Sequence, residues 1–237
     1  MSARPTAPAL DHLVVAADTL ADGVAWCEAV LGVTPAPGGA HALFGTHNRL
    51  LRLDGADHAY LEIIAIDPAA TPTRAAPLRR WFDLDDPVLR HRLRSHGPRL
   101  IHWVARVADA AAAAQALRAR GIERGPLLAA SRATPHGELR WRLTVRDDGQ
   151  RLFGGALPTL IAWDGPHPAA SLPAQGVALR GLRLAHVRAD GLRGALQTLG
   201  FGLAGEPGAD DAVSVAPNGP ALTATLDTPR GPVTLTA

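Results

Sequence analysis

The chain has 237 residues, of which 47% are hydrophobic and 19% are charged, and its formal net charge is +2. This length suits one large domain or two or three small repeated units with a core. No apolar run is long enough to span a membrane, and the start MSARPTAPALDH lacks the apolar stretch of a signal peptide. We therefore expect a cytoplasmic protein with no membrane partner.

The cysteine and the basic residues exclude some further kinds of structure and chemistry. The single cysteine, Cys27, excludes an internal disulfide framework. All 24 basic residues are arginine, which excludes Schiff-base catalysis by lysine. The pI is about 9.4, but arginines are scattered, and their densest stretch, RRWFDLDDPVLRHRLRSHGPR, is interrupted by aspartates. We therefore expect no nucleic-acid partner.

Three segments share the pattern of a strand, an Asp and an Ala/Leu-rich helix that ends at Gly. They read LDHLVVAADTLADGVAWCEAVLGV, LIHWVARVADAAAAAQALRARGI and LRLAHVRADGLRGALQTLGFG. The aspartates are expected N-caps and the glycines expected helix ends: Asp18, Asp109 and Asp190, with Gly32, Gly121 and Gly200. Strand-like pieces follow each helix, so the order βαβββ is predicted three times.

These repeats predict an α+β fold. The expected parts are a first module at residues 9–67, a helical or irregular connector at 68–98, a second module at 99–165 and a third, degenerate module at 177–237. One helix covers only one face of a module's sheet, so two modules must pair to enclose the other face, where a binding cleft is expected. The third module is expected to cap a sheet edge or to form the interface of a homodimer.

The segment AYLEIIAID, residues 59–67, places Glu62 in the middle of an apolar strand. Alternation puts Glu62 on one face with Tyr60, Ile64 and Ile66. A lone buried carboxylate is costly unless it is protonated, paired with a cation or bound to a metal. Two partners are open: an arginine of the preceding strand, Arg49 or Arg52, or a metal ion shared with histidines.

Two histidines occupy matching positions in the repeats. His12 lies in LDHLVV and His102 in LIHWVA, although the step from His12 to Asp18 is one residue shorter than that from His102 to Asp109. Two histidines and one carboxylate suit a divalent Fe, Mn, Ni or Zn ion with open positions. A hydrogen-bonded core histidine is the alternative for His102.

Other residues of these strands are candidates for the cleft. His41 and Tyr60 are candidate catalytic groups, because one can move a proton and the other can hydrogen-bond an oxyanion. The candidates for substrate binding are His47, Asn48 and Thr159. His58, His91, His96 and His136 are expected at the surface.

The motifs LDHLVVAADTL, GGAHALFGTHN and YLEIIAIDP resemble the vicinal-oxygen-chelate superfamily and, more narrowly, its glyoxalase-like domain family. The resemblance covers residues 9–67 and extends through PTLIAWDGPHP near residue 168. It implies βαβββ modules paired into a half-barrel around a divalent metal, with ligand positions on His12, Glu62 and His102. The fourth ligand position falls on Thr159, so the second module lacks its carboxylate, and the third module has Leu184 at the histidine position.

The resemblance also implies a function. It favours a metal-dependent isomerase, lyase or dioxygenase that acts on a small oxygen-chelating substrate of the carbonyl, enediolate or catechol type. The missing carboxylate argues against lactoylglutathione lyase activity, and the remaining ligand set resembles that of extradiol dioxygenases. The alternative is a metal-free protein that binds or sequesters a small molecule, similar to bleomycin-resistance proteins.

Overall fold

The structure is a computed structural model that describes residues 7–56, 58–135, 137–205 and 213–237. Both His136 and residues 206–212 of the predicted third module lie outside the described residues. The first module contains β1 (Ala9–Ala16), α1 (Leu20–Val30), β2 (Ala36–His41), β3 (Thr46–Leu53) and β4 (Ala59–Ile66). The connector contains a 3-10 turn (Trp81–Asp83) and α2 (Pro87–His96).

The second and third segments repeat this order of elements. The second contains β5 (Arg99–Arg106), α3 (Ala110–Arg118), β6 (Leu127–Thr134), β7 (Gly137–Thr144), a 3-10 turn (Leu152–Gly155) and β8 (Thr159–Trp163). A 3-10 turn (Pro168–Ser171) leads into the third, which contains β9 (Ala178–Ala185), α4 (Ala189–Leu199), β10 (Val213–Ala216), β11 (Leu222–Thr228) and β12 (Gly231–Thr236). The predicted α+β class is confirmed.

The first two modules form one curled sheet of eight strands in the order β2-β3-β4-β1-β5-β8-β7-β6. They join through β1 and β5, which pair antiparallel, so the modules meet edge to edge rather than as two separate sheets. The curl brings the ends of the sheet together: Arg132 on β6 donates to Asn48 on β3 over 3.2 Å. The inner face of this curl therefore encloses a cleft.

The helix caps differ in part from the sequence prediction. Asp109 caps α3, since its carboxylate accepts the N–H groups of the first turn. The Asp18 prediction is wrong, because α1 is capped by Thr19, whose hydroxyl accepts the N–H of Asp22. The Asp190 prediction is also wrong, because this residue lies inside the first turn of α4.

With Thr19 instead of Asp18 as the cap of α1, the one-residue difference between the first two repeats disappears. With Thr19 as the cap, His12 precedes its helix cap by seven residues, as His102 precedes Asp109. The two modules therefore match residue for residue from the first strand into the helix.

Each first strand also carries a β-bulge at the same place. In the pairing of β1 with β5, Asp11 is the extra residue on β1 and Ile101 the extra residue on β5. Each bulge directly precedes the histidine of its strand, His12 or His102. A bulge redirects the side chains beside it, so this pair of bulges determines where both histidines point.

The third module covers the back of the large sheet. Its buried side chains join the same core cluster as those of β1, β4 and β5, and Phe201 packs edge-on against Trp103 at 5.5 Å. Leu184, at the histidine position of the repeat, is 0% exposed in this core. The strand order, β10-β9-β11-β12, differs from that of the first module. The homodimer stays a prediction.

Among the residues that the structure describes, no helix is long and apolar enough to cross a membrane.

If the third module is part of the common core, Leu184→Ala is expected to lower the free energy of unfolding of the whole chain by about 2–5 kcal/mol, because it leaves a cavity. Leu78→Ala is the matched control, since Leu78 is 38% exposed, and its effect is expected within about 0.5 kcal/mol. Urea unfolding followed by tryptophan fluorescence measures both. A separate transition for the third module would contradict the shared core.

Candidate active site

The inner face of the curled sheet lines a narrow cleft. Its polar side chains are His12, His41, Asn48, Tyr60, Glu62 and Arg132. Its apolar walls are aromatic and aliphatic, and the aromatic ones are Trp81, Phe82, Trp141 and Trp163. A few polar groups in an apolar cleft are typical of a site for a small molecule.

Glu62 is buried in this cleft, and its partners lie around it. The Asn48 amide donates to Glu62 Oε1 over 2.6 Å, Glu62 Oε2 lies 3.6 Å from His12 Nε2, and Oε1 lies 3.9 Å from His41 Nε2. Among the described residues, neither Arg49 nor Arg52 pairs with Glu62, and Arg52 lies 3.7 Å from Asp54 instead. One neutral donor and two imidazoles therefore surround the carboxylate.

Asp11 is the residue that the sequence interpretation missed. It is 0% exposed and accepts three hydrogen bonds: from His12 Nδ1 at 2.6 Å, from Trp163 Nε1 at 2.8 Å and from His167 Nε2 at 3.0 Å. Simple alternation places Asp11 and His12 on opposite faces, but the bulge brings the two side chains together, so that they form a hydrogen bond behind the cleft wall. The only signal in the sequence was an acid directly before the candidate histidine.

These hydrogen bonds keep Asp11 ionised. Burial by itself raises the pKa of the carboxyl group, but the hydrogen bonds from His12 and His167 outweigh it and hold the pKa well below its usual range. The ionised carboxylate requires the proton of His12 to be on Nδ1. The other ring nitrogen, Nε2, therefore faces Glu62 with its tautomer set by Asp11.

Tyr60 forms the floor beneath His12. Its ring stacks on the imidazole with centroids 4.5 Å apart. Burial, with the nearby charges of Asp11 and Glu62, raises the pKa of Tyr60 well above its usual value. Its hydroxyl therefore remains a neutral hydrogen-bond donor at physiological pH.

Asn48 is held in one orientation. Its Oδ1 accepts the N–H of Gly39 at 2.8 Å and a guanidinium N–H of Arg132 at 3.2 Å, so its amide nitrogen must face Glu62. Glycine is required beside it: a Cβ on Gly38 would lie 2.0 Å from Asn48 Oδ1, and one on Gly39 would lie 2.5 Å from Arg132. The glycine pair thus lets β2 approach these two side chains.

His41 is a neutral imidazole. Burial, with the charge of Arg132, lowers its pKa to about 4. Its Nδ1 lies 3.0 Å from the hydroxyl of Thr46, and its Nε2 lies 3.3 Å from the Asn48 amide nitrogen. Because an amide N–H donates, Nε2 accepts, and the ring proton is on Nδ1.

Arg132 adds a positive charge that sequence reasoning did not find. It lines the cleft from the opposite end of the sheet, and among the described residues its Nε has no hydrogen-bond partner. A cation with an unpaired donor in an apolar cleft favours a substrate with an anionic group.

His102 and Thr159 lie outside this cleft. His102 Nδ1 donates to the carbonyl of Gly155 over 2.9 Å, and its Nε2 accepts the N–H of Thr159 over 3.1 Å. The ring of Phe82, which lines the cleft, lies 5.1 Å from the imidazole. Burial, with the charges of Arg124 and Arg151, lowers the pKa of His102 well below its usual value.

The other histidines named from the sequence lie away from the cleft. His47 lies on the outer side of β3 with Nδ1 3.9 Å from Asp67, and it is not among the residues that line the cleft. His58, His91 and His96 are exposed, as predicted.

The predicted metal ligands do not all come together. His12 and Glu62 come together, whereas both ring nitrogens of His102 form hydrogen bonds with the protein. The Asn48 amide directs its hydrogens toward Glu62, where a cation would need lone pairs. Over the described ranges, no three His, Cys, Asp or Glu side chains form a group suited to a metal. The predicted set does not fit one ion in this arrangement, and the metal stays a prediction.

Comparison with known proteins agrees with the fold and the sequence motifs. The family model described as a glyoxalase-like domain matches residues 10–200. The chain therefore belongs to the glyoxalase-like domain family, and the resemblance to the vicinal-oxygen-chelate superfamily is confirmed. No curated protein matches the chain.

Solved structures give the following similarities. A hypothetical protein from Staphylococcus aureus is 12% identical, with a TM-score of 0.58, over 96% of this chain and 84% of that one. Methylmalonyl-CoA epimerase from Mycobacterium tuberculosis is 20% identical over 68% and 91% of the two chains, with a TM-score of 0.38. The Streptomyces coelicolor epimerase, in complex with 2-nitronate-propionyl-CoA, is 17% identical over 68% and 100%, with a TM-score of 0.40. The first similarity supports the fold alone.

Asp11→Asn is expected to lower the free energy of unfolding by about 3 kcal/mol, because buried donors lose their charged acceptor. Asp190→Asn is the control, since its carboxylate is fully exposed. The fold lowers the pKa of Asp11. The carboxylate therefore stabilises the fold fully above its ordinary pKa of 3.8, and this contribution is lost as the pH falls below that value. Urea unfolding at pH 7 measures the two variants, and equal stabilities would contradict the role of Asp11.

His41 is expected to make the fold less stable in acid. Its pKa is 6.5 in its ordinary state and about 4 in the fold, so the unfolded chain binds this proton more readily. The free energy of unfolding therefore falls as pH drops from 6.5 to 4, by up to about 3 kcal/mol from this residue. Unfolding at pH 7 and pH 4.5 should show a smaller loss for His41→Gln than for the exposed control His96→Gln. The same loss in both variants would contradict the assignment.

Proposed function

We propose that the chain is an enzyme that moves a proton on a small, anionic carbonyl compound held in the cleft. The observation that carries this proposal is the convergence of Glu62 Oε2 and His12 Nε2, 3.6 Å apart, with His12 held on its other side by Asp11. A carboxylate and an oriented imidazole in a buried cleft are the parts of general acid–base catalysis.

Arg132 and the aromatic walls determine how the substrate lies. Arg132 offers an unpaired Nε–H, which suits a carboxylate or another anionic group of the substrate. The aromatic walls pack against the remaining carbon skeleton and exclude water. The reacting carbon then lies over Glu62 and His12.

Proton transfer follows from this placement. Glu62 Oε2 takes a proton from the carbon next to the carbonyl group, and the electrons of that C–H bond move onto the carbonyl oxygen. The neutral hydroxyl of Tyr60 donates a hydrogen bond to the resulting oxyanion. Return of the proton to the same face of that carbon regenerates the substrate, return to the opposite face gives an epimer, and return to the neighbouring carbon gives an isomer. Glu62 returns the proton directly or after passing it to the free Nε2 of His12.

Asn48 and His41 support the base. Asn48 keeps Glu62 in one rotamer through its 2.6 Å hydrogen bond. His41 stays neutral at physiological pH because its pKa is about 4, so it places no positive charge beside the base. We therefore regard both as positioning residues for Glu62.

The second candidate function is small-molecule binding without turnover, as predicted from the resemblance to bleomycin-resistance proteins. The apolar part of the lining, which includes three tryptophans, favours it. In that case Arg132 and the tryptophans bind the ligand, while Glu62 serves only as a hydrogen-bond acceptor.

The test is exchange of carbon-bound hydrogen in D2O, followed by proton NMR over a panel of 2-oxo and 2-hydroxy acids. Wild type is expected to exchange at least one of them, and Glu62→Gln to slow the exchange by about 100-fold or more. Glu138→Gln, on the exposed part of β7, is the matched control and is expected to match wild type. Binding without exchange in wild type would favour the second candidate.

The same samples test the predicted divalent ion. Elemental analysis of wild type and of a His12→Ala, Glu62→Ala double variant, each incubated with Fe, Mn, Ni or Zn salts, is the measurement. Stoichiometric metal in wild type that is lost in the double variant would support the ligand prediction for His12 and Glu62. His102→Ala then tests the third predicted ligand, since a ligand is needed for retention and a core histidine is not.

A further inference from the structure

A second pocket adjoins the cleft at the seam of the curled sheet. The seam is the gap between β2 and β6, the two end strands of the sheet, which do not pair with each other in the described ranges. The two strands approach closely at Gly39 and Arg132, where a Cβ on the glycine would lie 2.5 Å from the arginine side chain. Beyond this contact the strands leave a pocket of about 220 Å³ between them.

The walls of this pocket are mostly apolar. Ala42, Leu43 and Phe44 line one side, and Ala130 lines the other. Of the described residues that line it, none carries a charge at neutral pH, because burial keeps His41 neutral. An apolar cavity of about 150 Å³ is large enough for a benzene-sized group. The pocket therefore has room for a phenyl ring or a short alkyl chain.

The pocket shares walls with the candidate active site, since His41, Trp81 and Trp141 line both. Ala130 lies two residues before Arg132 on β6, and it packs against the apolar cluster of the inner face. Two residues of a strand span about 7 Å. A molecule whose anionic group contacts Arg132 therefore reaches the pocket with a substituent of only a few atoms.

The cleft itself does not offer this room. It is narrow around Glu62 and His12 and much smaller than the adjoining pocket. The cleft can therefore take the reacting atoms of a ligand, but a bulky substituent must lie elsewhere. The nearest apolar space for such a substituent is the pocket at the seam.

We propose that this pocket binds the apolar side chain of the substrate, so that the preferred substrates are 2-oxo or 2-hydroxy acids with a phenyl-sized or short alkyl side chain. The inference rests on the proposed function, which places the anionic group at Arg132 and the reacting carbon at Glu62. The small side chains of Ala42 and Ala130 leave the pocket open from its two sides. A larger residue at either position fills the space that the substrate side chain needs.

Isothermal titration of the full chain with three 2-oxo acids, whose side chains are methyl, butyl and benzyl, tests the pocket. Wild type is expected to bind the butyl and benzyl acids at least about tenfold more tightly than the methyl acid, because their additional carbons are buried. Equal affinities for the three acids would overturn the inference, and so would the absence of binding by all of them.

Two variants fill the pocket from opposite walls, Ala130→Leu and Ala42→Leu. Each is expected to bind the butyl and benzyl acids at least about tenfold more weakly than wild type and the methyl acid within about twofold of it. Ala133→Leu is the matched control, because it makes the same change at an exposed position of β6 outside the pocket. Circular dichroism checks that the variants fold. Equal weakening of all three acids in both folded variants would contradict the assignment.

Hydrogen exchange in D2O separates this inference from the proposed function. Tighter binding of the longer acids without exchange supports the pocket and contradicts the enzyme. Exchange with no dependence of affinity on the side chain contradicts the pocket alone.

Discussion

The candidate site depends on one imidazole held between two buried carboxylates. Asp11 fixes the ring of His12 from one side, and Glu62 faces its other nitrogen. A carboxylate is stable at this depth only with several donors, and Trp163 and His167 supply them to Asp11. These donors come from β8 and from the segment after it, so the site is complete only when the second module packs against the first.

The modular order and the apolar faces could be predicted because they depend on local patterns. The alternation of side chains around Glu62 correctly predicted which residues of β4 face the cleft and which face the back of the sheet. The matching positions of the two histidines correctly predicted the repeat. The caps show the limit of such reasoning. Thr19 and Asp18 are adjacent and both are good cap residues, so only the geometry of the first turn distinguishes them.

Asp11 and Arg132 could not be predicted in the same way, because their positions depend on long-range geometry. Asp11 contacts His12 through a bulge that involves β5, and Arg132 reaches Asn48 across 84 positions of sequence through closure of the curl. His102 shows that a match in sequence does not ensure the same environment. It matches His12 in sequence, but Thr159 replaces the carboxylate, and the imidazole is hydrogen-bonded within the core.

The matched bulges at Asp11 and Ile101 give the two modules the same backbone shape with different side chains. In a symmetric homodimer, every substitution appears twice, so both halves of a pseudo-symmetric barrel must carry the same chemistry. Here the halves are encoded separately within a single gene. The two halves can therefore differ, and they do so at the bulge, where an acid stands in one half and an aliphatic residue in the other on the same backbone shape.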